Sequence, residues 1–275
     1  LPPNYFANDS LLASIEIPEG MTSIGDSSFY NCTSLTSVEI PESVTNIGLT
    51  AFAGCTYLAS INLPQNITSI KANTFYNCAH LTSIDIPQGV TSIESNAFQY
   101  CSRLVSIDIP QGVTSIANYV FNGCTNLTSI DLPQNITSIG SYAFTDCTSI
   151  TSIDIPQGVT SIGSYAFRNC TSITSIDIPQ GVTSIQSNLC RGCSKLASVK
   201  IPQSVTTIGS QAFAAIGNET SGTVITILAS TPPTITANTF QTANISKIIV
   251  PQGSLSAYQT ATNWSAFADK MEEAA

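Results

Sequence analysis

Proline returns at Pro18, Pro41, Pro64, Pro87, Pro110, Pro133, Pro156, Pro179 and Pro202, each 23 residues after the last. Cysteine keeps the same step at Cys32, Cys55, Cys78, Cys101, Cys124, Cys147, Cys170 and Cys193. Phenylalanine does so from Phe29 to Phe167 and again at Phe213, with Cys190 standing in the phase of the one missing ring. No insertion interrupts the period between Leu12 and Phe213. A fixed repeat of this length leaves few folds open. Each unit is too small to bury its own apolar residues, and stacking units in register gives them a continuous core.

One unit shows how this works. Leu81, Ile84, Ile86, Val90, Ile93, Phe98 and Cys101 are its apolar marks. Ile84 and Ile86 flank Asp85 with period two, the pattern of a strand with one buried face. Pro87 ends the ladder because it has no N–H to donate. Gln88-Gly89 turns the chain, and Val90 to Ile93 begins a second short extended piece. Ala97-Phe98 through Cys101 reads as a tight or 3₁₀-like turn that brings the chain back.

Leu-x-x-Ile-x-Ile-Pro, then Val-Thr-Ser-Ile, Ala-Phe-x-x-Cys and the next Leu, resembles the BspA-type leucine-rich repeat family. The likeness covers nearly ten turns, from Leu1 to about Ile216, with degenerate turns beyond. It implies an α/β-type solenoid: a leucine-rich repeat stack of 23-residue units with about eleven short parallel strands, mostly β and turn or 3₁₀, closed by a C-terminal capping helix. It also implies a secreted or cell-surface protein that adheres to other proteins. Repeat folds host many partners, so this bears on fold more than on function.

The ends depart from the pattern. Leu1, Phe6 and Leu12 occupy the phases of Ile24, Phe29 and Leu35, so the chain reads as starting inside a coil, a fragment trimmed at its N-terminus. After Phe213 the period fails, and Gly217 to Gly222 insert a polar loop. Val224 to Leu228 and Ile245 to Val250 restore two strands. Leu255, Tyr258, Trp264, Phe267 and Met271 then follow helical spacing, with Ser254 as N-cap and Asn263 as a place to kink and restart. Residues 1–216 are thus the solenoid proper, and 217–275 hold degenerate repeats and a lid of the same domain.

Composition narrows the function. Eight Lys+Arg against 17 Asp+Glu leave a net charge of −9, which opposes nucleic-acid binding through clustered basic residues. No apolar run approaches the ~20 residues of a membrane helix. One histidine, His80, cannot support most His-dependent chemistry, and its phase is filled elsewhere by Ser, Tyr, Arg, Asn and Lys, the pattern of a solvated position. Eight cysteines share a core phase and each has two equivalent neighbours, so no disulfide pairing is specified; they read as buried thiols. Cys190 and Cys193 form one Cys-x-x-Cys without a second pair, which makes zinc or redox chemistry a poor reading. No catalytic, metal or cofactor residue is proposed, and the chain reads as non-enzymatic.

Two outward columns remain. Asp85, Asp108, Asp131, Asp154 and Asp177 share the phase between the inward Ile positions, with Ser83 to Ser175 forming a second column two residues earlier. The family's fold implies that they line a concave sheet. Neighbouring aspartates about 5 Å apart repel by roughly 0.8 kcal/mol before screening. The column is either a copied solubilising residue or a strip that docks a basic partner. Tyr119, Tyr142 and Tyr165 form a second stripe in a phase that is otherwise polar, expected to be exposed and either a recognition surface or a stabilising ladder. The reading that follows is an adhesin-like scaffold, monomeric, presenting these residues to a host or matrix protein. A structural spacer in a larger surface protein and a glycan-binding module are the alternatives.

Overall fold

The structure, a computed structural model, describes residues 1–275. It is a parallel β-solenoid of about eleven turns with little helix. By packing, the chain divides into two compact units, Leu1–Ile136 and Thr137–Ala275.

In the first unit, two rows of extended chain run from turn to turn. Ser14–Glu16 pairs in parallel with Ser37–Glu39, and the register sets Ser14 beside Ser37 and Glu16 beside Glu39. The one-period register keeps every inward residue over its copy. Further along, the same phase keeps alternate burial: Ser83 and Asp85 are exposed while Ile84 and Ile86 are buried. Its ladder thins to a bond at the head of each segment, as from Val105 N–H to the Thr82 carbonyl (3.1 Å), and to an isolated bridge between Asp108 and Asp131. The second row is Thr-Ser-Ile, with Ser69–Ile70 paired to Ser92–Ile93. Here Thr91 Oγ1 donates to the Thr68 carbonyl at 3.4 Å.

The return turn is not 3₁₀ helix. Its i to i+3 bonds are present, such as Gln99 N–H to the Asn96 carbonyl and Cys101 N–H to the Phe98 carbonyl, both 3.1 Å. Two residues per unit, however, sit in the left-handed region: Asn96 (φ 60°) and Tyr100 (φ 62°) in this one. A left-handed residue every fourth position breaks any helix. It also turns Asn96, Phe98 and Tyr100 N–H toward the Asn118, Val120 and Asn122 carbonyls of the next turn. The phase of Tyr100 is Asn in many turns and Gly54, Gly123 and Gly192 in others, residues that accept positive φ at low cost.

The core is columnar. Phe6, Phe29, Phe52, Phe75, Phe98 and Phe121 stack at 5.1 to 5.9 Å between successive centroids, with interplanar angles of 15° or less. Beside them run the cysteines, all buried. Cys55, Cys78, Cys101 and Cys124 each donate Sγ–H to the phenylalanine carbonyl 26 residues earlier, at 3.1 to 3.2 Å.

In the second unit the Ile-x-Ile row is a five-stranded parallel sheet in chain order: Ser175–Asp177, Ser198–Ile201, Thr223–Ile227, Ile245–Val250 and Met271–Glu273. The Thr-Ser-Ile row continues through Ser184–Ile185, Thr207–Ile208 and Thr234–Ile235. The expected strands after the irregular loop are in place. The final segment differs from a single capping helix. Leu255–Thr260 is α-helix without a side-chain cap from Ser254 and ends at Ala261, whose backbone is extended; Asn263 is left-handed at φ 67°, Ser265–Lys270 is 3₁₀, and Met271–Glu273 is a strand. Met271 therefore leaves the helical face and packs as an inward strand residue beside Ile248. The lid itself is present. Tyr258 and Trp264 are buried; Trp264 lies 5.7 Å from Phe240 and its Nε1–H donates to the Pro233 carbonyl at 2.7 Å.

Candidate partner-binding surface

Asp85, Asp108 and Asp131 in the first unit, and Asp154 and Asp177 in the second, are all exposed, each between two buried aliphatic residues. Ser83, Ser106, Ser129, Ser152 and Ser175 are exposed beside them. The structure's one ion pair is Lys247 with Glu272 at 2.9 Å, so none of the five aspartates is ion-paired, and only Asp177 has a basic residue, Lys200, beside it in the sheet. A shallow hollow borders two of the aspartates in each unit. One of about 260 Å³ is lined by Asp108, Asp131, Gln88 and Gln111; one of about 270 Å³ by Asp154, Asp177, Gln157 and Ser175. Each sets two carboxylates and a side-chain amide around a space that a lysine or arginine head could enter. No group of three or more His, Cys, Asp or Glu is arranged to hold a metal ion.

The tyrosine stripe is less exposed than its polar phase suggests. Tyr119, Tyr142 and Tyr165 are half-buried, and all three take left-handed backbone, φ 60° to 63°. Tyr142 and Tyr165 stack at 4.5 Å with an interplanar angle of 5°, and Arg168 lies over the Tyr165 ring at 5.9 Å. Tyr142 and Tyr165 therefore cover one another while remaining partly exposed.

His80 is not a freely solvated position. It is half-buried and stacks on Tyr57 (4.6 Å). Its Nδ1 lies 2.8 Å from the Thr56 carbonyl, a bond only a protonated nitrogen can make. Cys190 and Cys193 are both buried, and burial raises the Cys190 thiol well above the ordinary range. A thiol held protonated is a poor nucleophile and metal ligand.

Residues 1–124, 91–220 and 195–265 match the model of the BspA type leucine rich repeat region, in six copies. The chain belongs to the BspA-type leucine-rich repeat family. A leucine rich cell surface protein of Faecalibacterium prausnitzii A2-165, known from its crystal structure, is 30% identical; the alignment covers 96% of this chain and 88% of that one, with a TM-score of 0.59. A leucine-rich repeat protein of Bacteroides ovatus ATCC 8483 is 25% identical over 96% and 92% of the two chains, with a TM-score of 0.54. The pneumococcal vaccine antigen PcpA shares the fold at 18% identity and TM-score 0.58, over 95% of this chain and 77% of its own. No curated protein matches.

Two features escaped sequence reasoning. The Tyr57–His80 stack is formed by residues 23 apart in a variable column, and periodicity alone would have located it. The contact of Arg168 with Tyr165 joins residues three apart in one turn, and nothing in the repeat pattern marks it.

Proposed function

We propose that this BspA-type chain is a non-enzymatic binding scaffold of a cell surface, adhesin-like, whose exposed Ser and Asp rows dock a basic protein segment. The observation that supports the reading most is the aspartate row itself. Five exposed carboxylates recur at one phase, none has an ion-pair partner, and two pairs of them border hollows sized for a cationic side chain. Charge left uncompensated over several turns focuses a negative potential and speeds encounter with a positive partner. No helix of the chain is long and apolar enough to cross a membrane. The cell-surface description of the Faecalibacterium protein agrees with an extracellular role.

The test is binding of immobilised protein to a panel of matrix and serum proteins, at low and high salt, with the wild type and the Asp108→Asn, Asp131→Asn, Asp154→Asn triple variant. A saturable partner that weakens with salt and with the triple change supports the docking strip. A partner indifferent to both would place recognition elsewhere on the molecule. Failure across the whole panel would favour a spacer.

A further inference from the structure

In the second unit the corner between the two strand rows changes length after Pro202. Ile201 pairs with Ile227 and Thr207 with Thr234, so residues 228–233 span a corner that the turn before spans with 202–206, one residue fewer. Leu228 stands in the phase of Pro202 and is 37% exposed, whereas the prolines of that phase from Pro64 to Pro202 are buried. The longer corner stands off its neighbour and leaves a hollow of about 440 Å³, larger than either hollow at the aspartate row.

Its lining differs from theirs in kind. No carboxylate, ammonium or guanidinium borders it. Gln203, Ser230, Thr231 and Thr234 bring an amide and three hydroxyls, all at exposed residues and none with a hydrogen-bond partner in the protein. Leu228 and Pro232 bring aliphatic surface beside them. The walls are fixed. Leu228 N–H donates to the Ile201 carbonyl and Thr234 N–H to the Thr206 carbonyl, both at 2.9 Å. From the lid, the Tyr258 hydroxyl holds the Ala229 carbonyl and Trp264 Nε1–H holds the Pro233 carbonyl, both at 2.7 Å. A hollow held at four points has its shape before any ligand arrives, and such preorganisation favours binding.

We propose that this corner hollow binds a neutral sugar residue of a glycan. Each free hydroxyl and the carboxamide as a whole can both donate and accept, as the vicinal hydroxyls of a sugar do, while Leu228 and Pro232 offer a surface for the C–H face of its ring. An ion would give up its hydration with no counter-charge to meet it. A wholly apolar molecule would strand the hydroxyls and the amide. An extended peptide adds to an unpaired strand edge, and here both rows that flank the hollow are already paired. Small-ligand pockets hold about 300–1,000 Å³, and the 440 Å³ of this one suits one or two sugar rings.

The experiment is a nitrogen-15 NMR titration of the full chain with three neutral sugars, lactose, maltotriose and cellotriose, and with tetragalacturonate and N-acetyl-trialanine amide as the charged and peptide comparators. Saturable shifts centred on residues 203–206 and 228–234 with at least one neutral sugar, at least about tenfold weaker binding by the two comparators, and a loss of at least about tenfold in the Gln203→Ala, Thr231→Val double variant support the site. Both side chains are exposed and unpartnered, so the double variant should melt as the wild type does; if it does not, Ser230→Ala replaces it. Saturation by none of the three neutral sugars, equal binding of tetragalacturonate or of the peptide, or affinity untouched by the substitutions would each overturn the proposal. The Asp108→Asn, Asp131→Asn, Asp154→Asn variant should bind the sugar as the wild type does, so this site stands or falls apart from the docking strip.

Discussion

Cys101 Sγ donates to the carbonyl of Phe75, 26 residues earlier, at 3.2 Å. The same bond recurs along the chain, so the cysteine column fastens each turn to the one before it. Burial pushes the Cys101 thiol up to about 12 and the Cys32 thiol up to about 11. An unfolded thiol loses its proton near 9, while the folded one keeps it. Stability is therefore full below pH 9 and falls as pH rises from there toward 12, by about 1.4 kcal/mol per pH unit for each such thiol. Urea unfolding at pH 8 to 11 should show a steep alkaline loss that Cys101→Ala makes shallower by one thiol's share. An identical pH slope in the variant would contradict this account.

The lid makes a second prediction. Tyr258 is fully buried and its hydroxyl donates to the Ala229 carbonyl at 2.7 Å, while Trp264 packs against both Tyr258 and Phe240. Trp264→Ala should destabilise by about 3 to 5 kcal/mol and Tyr258→Phe by about 1 kcal/mol. Deleting residues 254–275 removes the Met271–Glu273 strand and bares the long strand Ile245–Val250 as an edge. Sedimentation should then find self-association, and a monomer of unchanged melting temperature would count against the lid.

Much of this was legible in the sequence because the period places residues without any propensity argument. Ile84, Asp85 and Ile86 alternate in burial as their spacing says, and Phe98 falls into the stack that its phase implies. The differences are local. The return turn, expected to be tight or 3₁₀-like, is a tight turn with i to i+3 bonds, and the Asn and Gly residues at the phase of Tyr100 mark the left-handed position that keeps it from being helix. The last segment reads as one helix face with a kink at Asn263, and the break is there; beyond it, Trp264, Phe267 and Met271 keep helical spacing, which also fits a 3₁₀ turn leading into a strand. At the surface, the Asp column is placed by its phase. The half-burial of Tyr142 and Tyr165 depends on rings meeting across turns, which no single unit reveals.

The left-handed positions are testable at Thr50, a β-branched residue at φ 58°. Its phase is Asn at Asn4, Asn73, Asn96 and Asn188, and its N–H still donates to the Ala72 carbonyl at 3.0 Å. Left-handed backbone costs a β-branched residue roughly 1–2 kcal/mol, and asparagine tolerates it. Thr50→Asn should stabilise the protein by about 1 kcal/mol in chemical denaturation. Thr50→Val, which keeps the branch and loses the hydroxyl, should bring no gain.

The interruption at Cys190 gives the last prediction. Elsewhere the pair is a small residue followed by phenylalanine, as in Ala166-Phe167 and Ala212-Phe213; here it is Leu189-Cys190, both fully buried. The larger side chain has moved one position along, so the volume of the pair is nearly kept while the ring is lost. The backbone is undisturbed: Phe167 N–H still donates to the Leu189 carbonyl at 2.9 Å, and Cys190 N–H to the Ala212 carbonyl at 2.8 Å. Cys190→Phe alone should overpack against Leu189 and destabilise by about 1 to 3 kcal/mol. Leu189→Ala alone should open a cavity and destabilise by about 2 to 5 kcal/mol. Together they restore the pattern of the other turns and extend the phenylalanine stack from Phe167 to Phe213. The double variant should thus lie close to the wild type, with a large favourable coupling in a double-mutant cycle. Additive losses would mean that the two positions fill separate spaces, and that the swap at this turn answers to something other than packing.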